Sequence, residues 1–162
     1  MKDKEKVKQG KKSRTQGKAF EDRVRKDLEE KGYIVDRWSN NVDLDYHSGG
    51  HFINGKHINK GKLIKAKAKW AGPNRPMMLG AGFPDFIAYK PFEVSDILGI
   101  ECKMTGELDK PEKEKCKWLL DNGVFDIILI AEKIKRKNKI IIEYHDFKEK
   151  YKRFIWHLNK RL

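Results

Sequence analysis

The sequence predicts an α/β fold with a mixed central sheet flanked by helices. Three observations carry this. An amphipathic helix opens the ordered part of the chain. Several β-branched or aromatic runs follow. A helix then separates two apolar strands, and a last strand leads into a closing helix. The chain has 162 residues, which fits one domain over residues 15–162 behind a short arm.

The first helix is expected over residues 15–31. Phe20, Val24 and Leu28 recur every four residues as one apolar stripe, and Gly32 supplies the stop. Glu21 sits at the edge of that stripe. YIVDRW, 33–38, reads as the first strand. Residues 39–61 are Asn- and Gly-rich and read as loops, with a hairpin at Asn54-Gly55. LIKAKAKW, 63–70, alternates, placing Lys65, Lys67 and Lys69 on one face. Such a face suits phosphates; the plainer reading is an edge strand guarded by charge. GPNRPMMLGAG, 72–82, reads as a turn-rich connection. Strands are expected at 84–89, 96–103 and 125–131, with a helix at about 110–122 between the last two. Pro111 suits that helix's first turn, Cys116, Leu119 and Leu120 form its apolar face, and Gly123 ends it. KIKRKNK, 133–139, reads as a basic hairpin turn and 139–144 as a strand. Asp146 caps a closing helix with Phe147, Tyr151, Phe154, Ile155, Leu158 and Leu162 on its apolar side.

Charge narrows the partners. Lys and Arg number 37 against 24 Asp and Glu, for a formal net charge of +13. That balance favours a polyanion, most simply nucleic acid. Residues 1–14 hold seven basic and two acidic side chains with one aliphatic residue, and read as a flexible basic arm or a solubilising tail. Two cysteines, Cys102 and Cys116, make no disulfide framework. No signal-peptide pattern or apolar run of membrane-spanning length is present. A cytoplasmic setting is expected, including the host cytoplasm for a phage- or virus-encoded protein. His47, His51 and His57 have no cysteine near them and do not space as a structural zinc site.

The chemistry is expected around GFPDFIAYKPFEVSDILGIECK, 82–103. On the strand 96–103, Glu101 and Lys103 share a face, and burying that pair gains little stability. If 84–89 and 96–103 pair antiparallel with Tyr89 opposite Asp96, Asp85 falls beside residue 100 and within reach of Glu101. Two carboxylates suit Mg²⁺ or Mn²⁺, and a lysine beside them can orient water or offset developing charge.

These residues resemble a known family. Gly82-Phe83-Pro84-Asp85 followed by Glu101-Cys102-Lys103 looks like the PD-(D/E)XK nuclease superfamily, in the form found in Holliday junction resolvases and VRR-NUC nucleases. QGKAFEDRVRKDLEEKGYIV is similar to that family's first helix, and the likeness spans about residues 15–131. The resemblance implies a restriction-endonuclease-like fold and a Mg²⁺-dependent (or Mn²⁺-dependent) endodeoxyribonuclease. It implies Asp85, Glu101 and the Cys102 backbone carbonyl as metal ligands, Lys103 as the catalytic lysine and Glu21 completing the site. In the helix after Lys103, PEKEKCKW offers Glu112, Lys113 and Lys115 but no glutamine, and Lys115 is the candidate for the site-facing position. Branched DNA is the expected substrate, contacted by Arg14, Lys18, Lys65, Lys67, Lys69, Lys115, Lys135 and Arg136, with a homodimer making paired cuts. The surplus apolar residues of the closing helix, Phe154 and Trp156, could serve that dimer or pack on the sheet. The competing readings are a nucleic-acid-binding protein without catalysis, a repair- or restriction-type nuclease, and an RNA-processing nuclease.

Overall fold

The computed structural model describes residues 2–47, 52–53, 56–57, 60–67, 82–91, 96–137 and 139–160. Its main sheet has five strands: β1 (Ile34–Arg37), β6 (Phe86–Tyr89), β7 (Leu98–Lys103), β8 (Ile127–Arg136) and β9 (Lys139–Asp146), in that spatial order. Only β7 and β8 run parallel; the other pairs are antiparallel, so the sheet is mixed. The parallel pair is joined by helix α2 (Lys110–Asp121), the crossover such a pair requires. Two small antiparallel pairs stand apart: β2 (Asn40–His47) with β5 (Lys60–Lys65), and β3 (Phe52–Ile53) with β4 (Lys56–His57). The β3–β4 pair flanks Asn54-Gly55, where a hairpin is expected, although those two residues lie outside the described ones.

Alternation along β6, β7 and β8 produces two cores. On one face, helix α1 (Lys2–Glu30) buries Phe20, Val24 and Leu28 against Val35, Phe86, Ala88, Leu98 and Ile100. On the other, Cys116 and Leu119 of α2 meet Phe125, Ile128 and Ile130, joined by Val42 of β2 and by Phe147 and Tyr151. Each fully buried large aliphatic or aromatic side chain contributes about 1.5–3 kcal/mol. The polar ends of β6 and β7 are therefore framed by two packed layers.

Several elements differ from expectation. Helix α1 begins at Lys2, not residue 15, so residues 2–14 of the expected flexible arm are helical. Lys and Gln are good helix formers, and lack of a burial face does not by itself prevent a helix that continues a packed one. Strand β2 falls where loops were expected. Val42 is buried and Leu44 half-buried there, while Asn and Asp, poor strand residues, fill the alternate positions. Strand β5 ends at Lys65, so Lys67 lies just beyond it, and Lys69 and the 72–81 connection lie outside the described residues. Strand β8 runs on to Arg136, which leaves a tighter turn than the 133–139 segment expected. The closing helix is broken into α3 (Phe147–Lys150) and α4 (Lys152–Lys160) at Tyr151. There the Tyr151 hydroxyl accepts from Leu108 N at 3.0 Å and donates to Glu107 at 3.1 Å, a tertiary demand that interrupts local periodicity. Leu162 and the Leu158 side chain lie outside the described positions.

Candidate functional site

The approach to Asp85 is shaped by Gly82. A Cβ there would lie 2.1 Å from the Trp38 carbonyl oxygen and 2.6 Å from that of Asn40, so only glycine lets the chain pass this close. Phe83 N donates to Asn40 O at 2.8 Å, and Trp38 N donates to Asp85 O at 3.1 Å. These bonds anchor residues 83–85 against the β1–β2 link. Phe83 and Pro84 are buried, and the peptide between them is cis.

The β6–β7 register differs from expectation by one residue. Phe86, not Asp85, stands opposite Ile100, with Ile87 opposite Gly99 and Ala88 opposite Leu98. Continued one step, the register brings Asp85 level with Glu101. Its carboxylate accepts from the Cys102 backbone N–H at 2.9 Å. A one-residue slip matters because strand faces alternate.

Glu101 is the one charged residue among the buried described residues, only 5% exposed. One of its carboxylate oxygens lies 3.1 Å from Lys103 Nζ. The other is buried and has no hydrogen-bond partner among the described residues. Such an orphaned acceptor carries a desolvation cost of about 1–3 kcal/mol or more when charged. The Lys103 ammonium also donates to Glu112, which stands on the first turn of α2.

Electrostatics follow from this crowding. Burial pushes the Asp85 carboxyl up to about 6; the Cys102 N–H opposes the shift and the Glu21 charge adds to it. Burial, then the Asp85 charge, holds Glu101 well above the usual carboxylate range. For Lys103, burial acts to lower the ammonium, but Glu101 and Glu112 outweigh it and the net shift is upward. Burial also pushes the Cys102 thiol far up, so this sulfur is no ready nucleophile. When ionised, Asp85, Glu101, Glu112 and Glu21 face two nearby cations, Lys103 and Arg37. Within a strongly basic chain, this is a local excess of negative charge.

Glu21 reaches the rim of the cluster from α1. It pairs with Arg37 at 3.1 Å, and its charge is felt at Asp85. Arg37 also stacks over the Phe86 ring at 6.0 Å. Lys115 places its ammonium 5.5 Å from the ring centre of Phe83, two residues before Asp85. The α2 residue that reaches Lys103 is Glu112. Its other oxygen accepts from Asp109 N at 3.0 Å, and Asp109 accepts from Glu112 N at 2.8 Å, a complete capping box. The signal for Glu112 was present in the sequence as Asp-x-x-Glu before an apolar helix. Arg37 had no sequence signal beyond its place at the end of β1.

The residues expected to face phosphates are dispersed. Arg14 and Lys18 are exposed on α1 and line a recess of about 370 Å³ with Asp22. Lys65 and Lys67 are exposed at the end of β5 and just past it. Lys135 and Arg136 are exposed at the far end of β8.

No three His, Cys, Asp or Glu side chains among the described residues converge as a ready-made metal-binding group. The donors that do meet are two carboxylates beside a backbone segment, one of them with an unsatisfied oxygen. An all-oxygen set of that kind suits a hard divalent cation such as Mg²⁺ or Mn²⁺ better than zinc or copper. Among the described residues, no helix is long and apolar enough to cross a membrane. Compared with known proteins, the chain matches no protein family, no curated protein and no solved structure.

Proposed function

We propose that the chain is a divalent-metal-dependent endodeoxyribonuclease of PD-(D/E)XK type, on a restriction-endonuclease-like sheet. The observation that carries the reading is the meeting of Asp85, Glu101 and Lys103 at the ends of β6 and β7, with a buried Glu101 oxygen left without a partner. Folding alone gives no reason for this arrangement, since apolar residues in its place would be at least as stable.

In this reading Asp85, Glu101 and the Cys102 carbonyl hold Mg²⁺ or Mn²⁺, with Glu21 supporting from the rim. The bound ion supplies Lewis-acid activation of a phosphodiester and of the attacking water. Lys103, a permanent cation, orients that water or offsets charge growing on the phosphate. Glu112 holds the lysine in place. The exposed Arg14, Lys18, Lys65, Lys67, Lys135 and Arg136 suit backbone contacts that read DNA shape without reading bases. Branched DNA, cut in pairs by a homodimer, is the substrate that the resemblance to Holliday junction resolvases implies.

A cleavage panel tests the proposal. Supercoiled, linear, flapped and four-way DNA, with RNA counterparts, are incubated with Mg²⁺, Mn²⁺ or EDTA. Metal-dependent cutting with preference for the four-way substrate is expected. Binding without cutting under either metal would leave a nucleic-acid-binding protein, and preferential cutting of RNA would reassign the substrate.

A further inference from the structure

A basic surface lies on the closing helices. Trp156 of α4 is 53% exposed, the second most exposed of the large hydrophobic side chains among the described residues. It lines a recess of about 320 Å³ between α2, α3 and α4, together with Lys117, Leu120, Asp121, Lys148 and Lys152. Trp156 and Lys152 also line a neighbouring recess of about 520 Å³, with Arg153 and His157. The same indole thus borders two open hollows, each with cations at its edge, and meets the His157 ring edge to face at 4.9 Å while staying about half exposed.

The nearby carboxylates offset this charge only in part. Lys117 pairs with Asp121, and Lys152 with Glu149 at 3.5 Å. The Lys152 pair is about three-quarters exposed on both sides, and such pairs are weak enough to give way to a stronger anion. Lys148 and Arg153 are also exposed.

We infer that this surface binds unpaired nucleic acid, with a base stacked on Trp156 and the flanking phosphates on Lys148, Lys152 and Arg153. An aromatic face edged by lysines is the chemistry that holds single strands with little sequence preference. A duplex keeps its bases stacked internally and offers no free ring face to the indole. A second copy of the chain fits less well. A two-fold contact here would bring Lys148, Lys152 and Arg153 of both copies into one interface, a concentration of like charge. The inference does not rest on the hydrolytic reading, because binding at this surface requires no cleavage.

The test measures fluorescence anisotropy of labelled oligothymidylate and of a duplex of equal length. The full chain is used in EDTA, so that no metal-dependent cutting occurs. Trp156→Ala is expected to weaken single-strand binding roughly five- to hundredfold and to leave duplex binding within about twofold. Trp156→Phe should keep most of the affinity, which separates loss of stacking from damage to the fold. Lys148→Ala with Lys152→Ala should lower the salt dependence of single-strand binding. Unchanged single-strand affinity in Trp156→Ala overturns the inference. So does an equal loss for duplex and single strand. Sedimentation of the same variants adds a third overturning result: a wild-type dimer that Trp156→Ala converts to monomer, with single-strand binding intact.

Discussion

Glu112 accepts a hydrogen bond from the Lys103 ammonium through one carboxylate oxygen and from the Asp109 backbone N–H through the other. A single side chain thereby closes the N-terminal cap of α2 and fixes a cation beside the buried Glu101 carboxylate. Gln can keep the capping role but not the charge. Glu112→Gln should therefore leave the melting temperature nearly unchanged and slow cleavage on the order of tenfold, the scale of one charge-assisted hydrogen bond. Glu112→Ala should in addition lose about 1 kcal/mol of stability with the cap. Single-turnover cleavage and thermal melts of both variants separate the roles. Wild-type rates in Glu112→Gln would reduce this residue to a cap.

Glu101 is expected to trade stability for function. Its buried, unpartnered oxygen opposes folding of the metal-free chain. Glu101→Gln should leave the metal-free protein as stable as wild type or up to about 2 kcal/mol more stable, while cleavage falls by orders of magnitude. Denaturant unfolding in EDTA beside an activity assay checks both. A strongly destabilised Glu101→Gln would mean that Glu101 is a structural partner of Lys103 and not a functional acid.

Stability of the metal-free chain should depend on pH in a defined direction. Asp85 has a folded pKa of about 6, raised by burial, and Glu101 is raised as well. A raised carboxyl keeps its proton longer in the folded state, so its contribution is full below the unfolded value. It is lost as pH rises through the folded one. For Asp85 that loss falls between about pH 4 and pH 6 and is on the order of 2–3 kcal/mol. Glu101, raised by burial and then by the Asp85 charge, adds to the same trend. Added Mg²⁺ should accordingly raise the melting temperature more at about pH 8 than at about pH 5. Asp85→Asn should flatten the lower part of the profile. Melts in EDTA and in Mg²⁺ across this range are the check, and an equal Mg²⁺ effect at both ends would count against the ion lying between these carboxylates.

Gly82 should be intolerant of even a methyl group. A Cβ at 2.1 Å from Trp38 O forces the 82–85 segment off the β1–β2 link. Gly82→Ala is expected to cost about 1–3 kcal/mol and to reduce cleavage more than stability, because Asp85 moves with the segment. Wild-type activity in a stable Gly82→Ala variant would show that Asp85 does not depend on this approach.

Much of the fold was legible because burial wrote it into apolar spacing. The Phe20, Val24, Leu28 stripe, the alternation in β7 and the Pro111 start of α2 each followed from one local rule. Strand β2 was missed because Asn and Asp hide the alternation of Val42, Leu44 and Tyr46. The break at Tyr151 depends on Leu108 and Glu107, more than forty residues away, and no local pattern signals it. In the site, Glu101 and Lys103 were legible from one strand, but the register that brings Asp85 level with Glu101 is set by packing between strands. Glu112 was legible as a cap. Its contact with Lys103 needed the three-dimensional crossover.

The most direct test of the account is cleavage of a four-way DNA junction by the wild-type chain, Asp85→Asn and Lys103→Ala, each with Mg²⁺ and with EDTA. The account predicts cutting by the wild type in Mg²⁺ alone and none by either variant, while all three still bind the junction. Mg²⁺-dependent cutting that survives in both variants would contradict it.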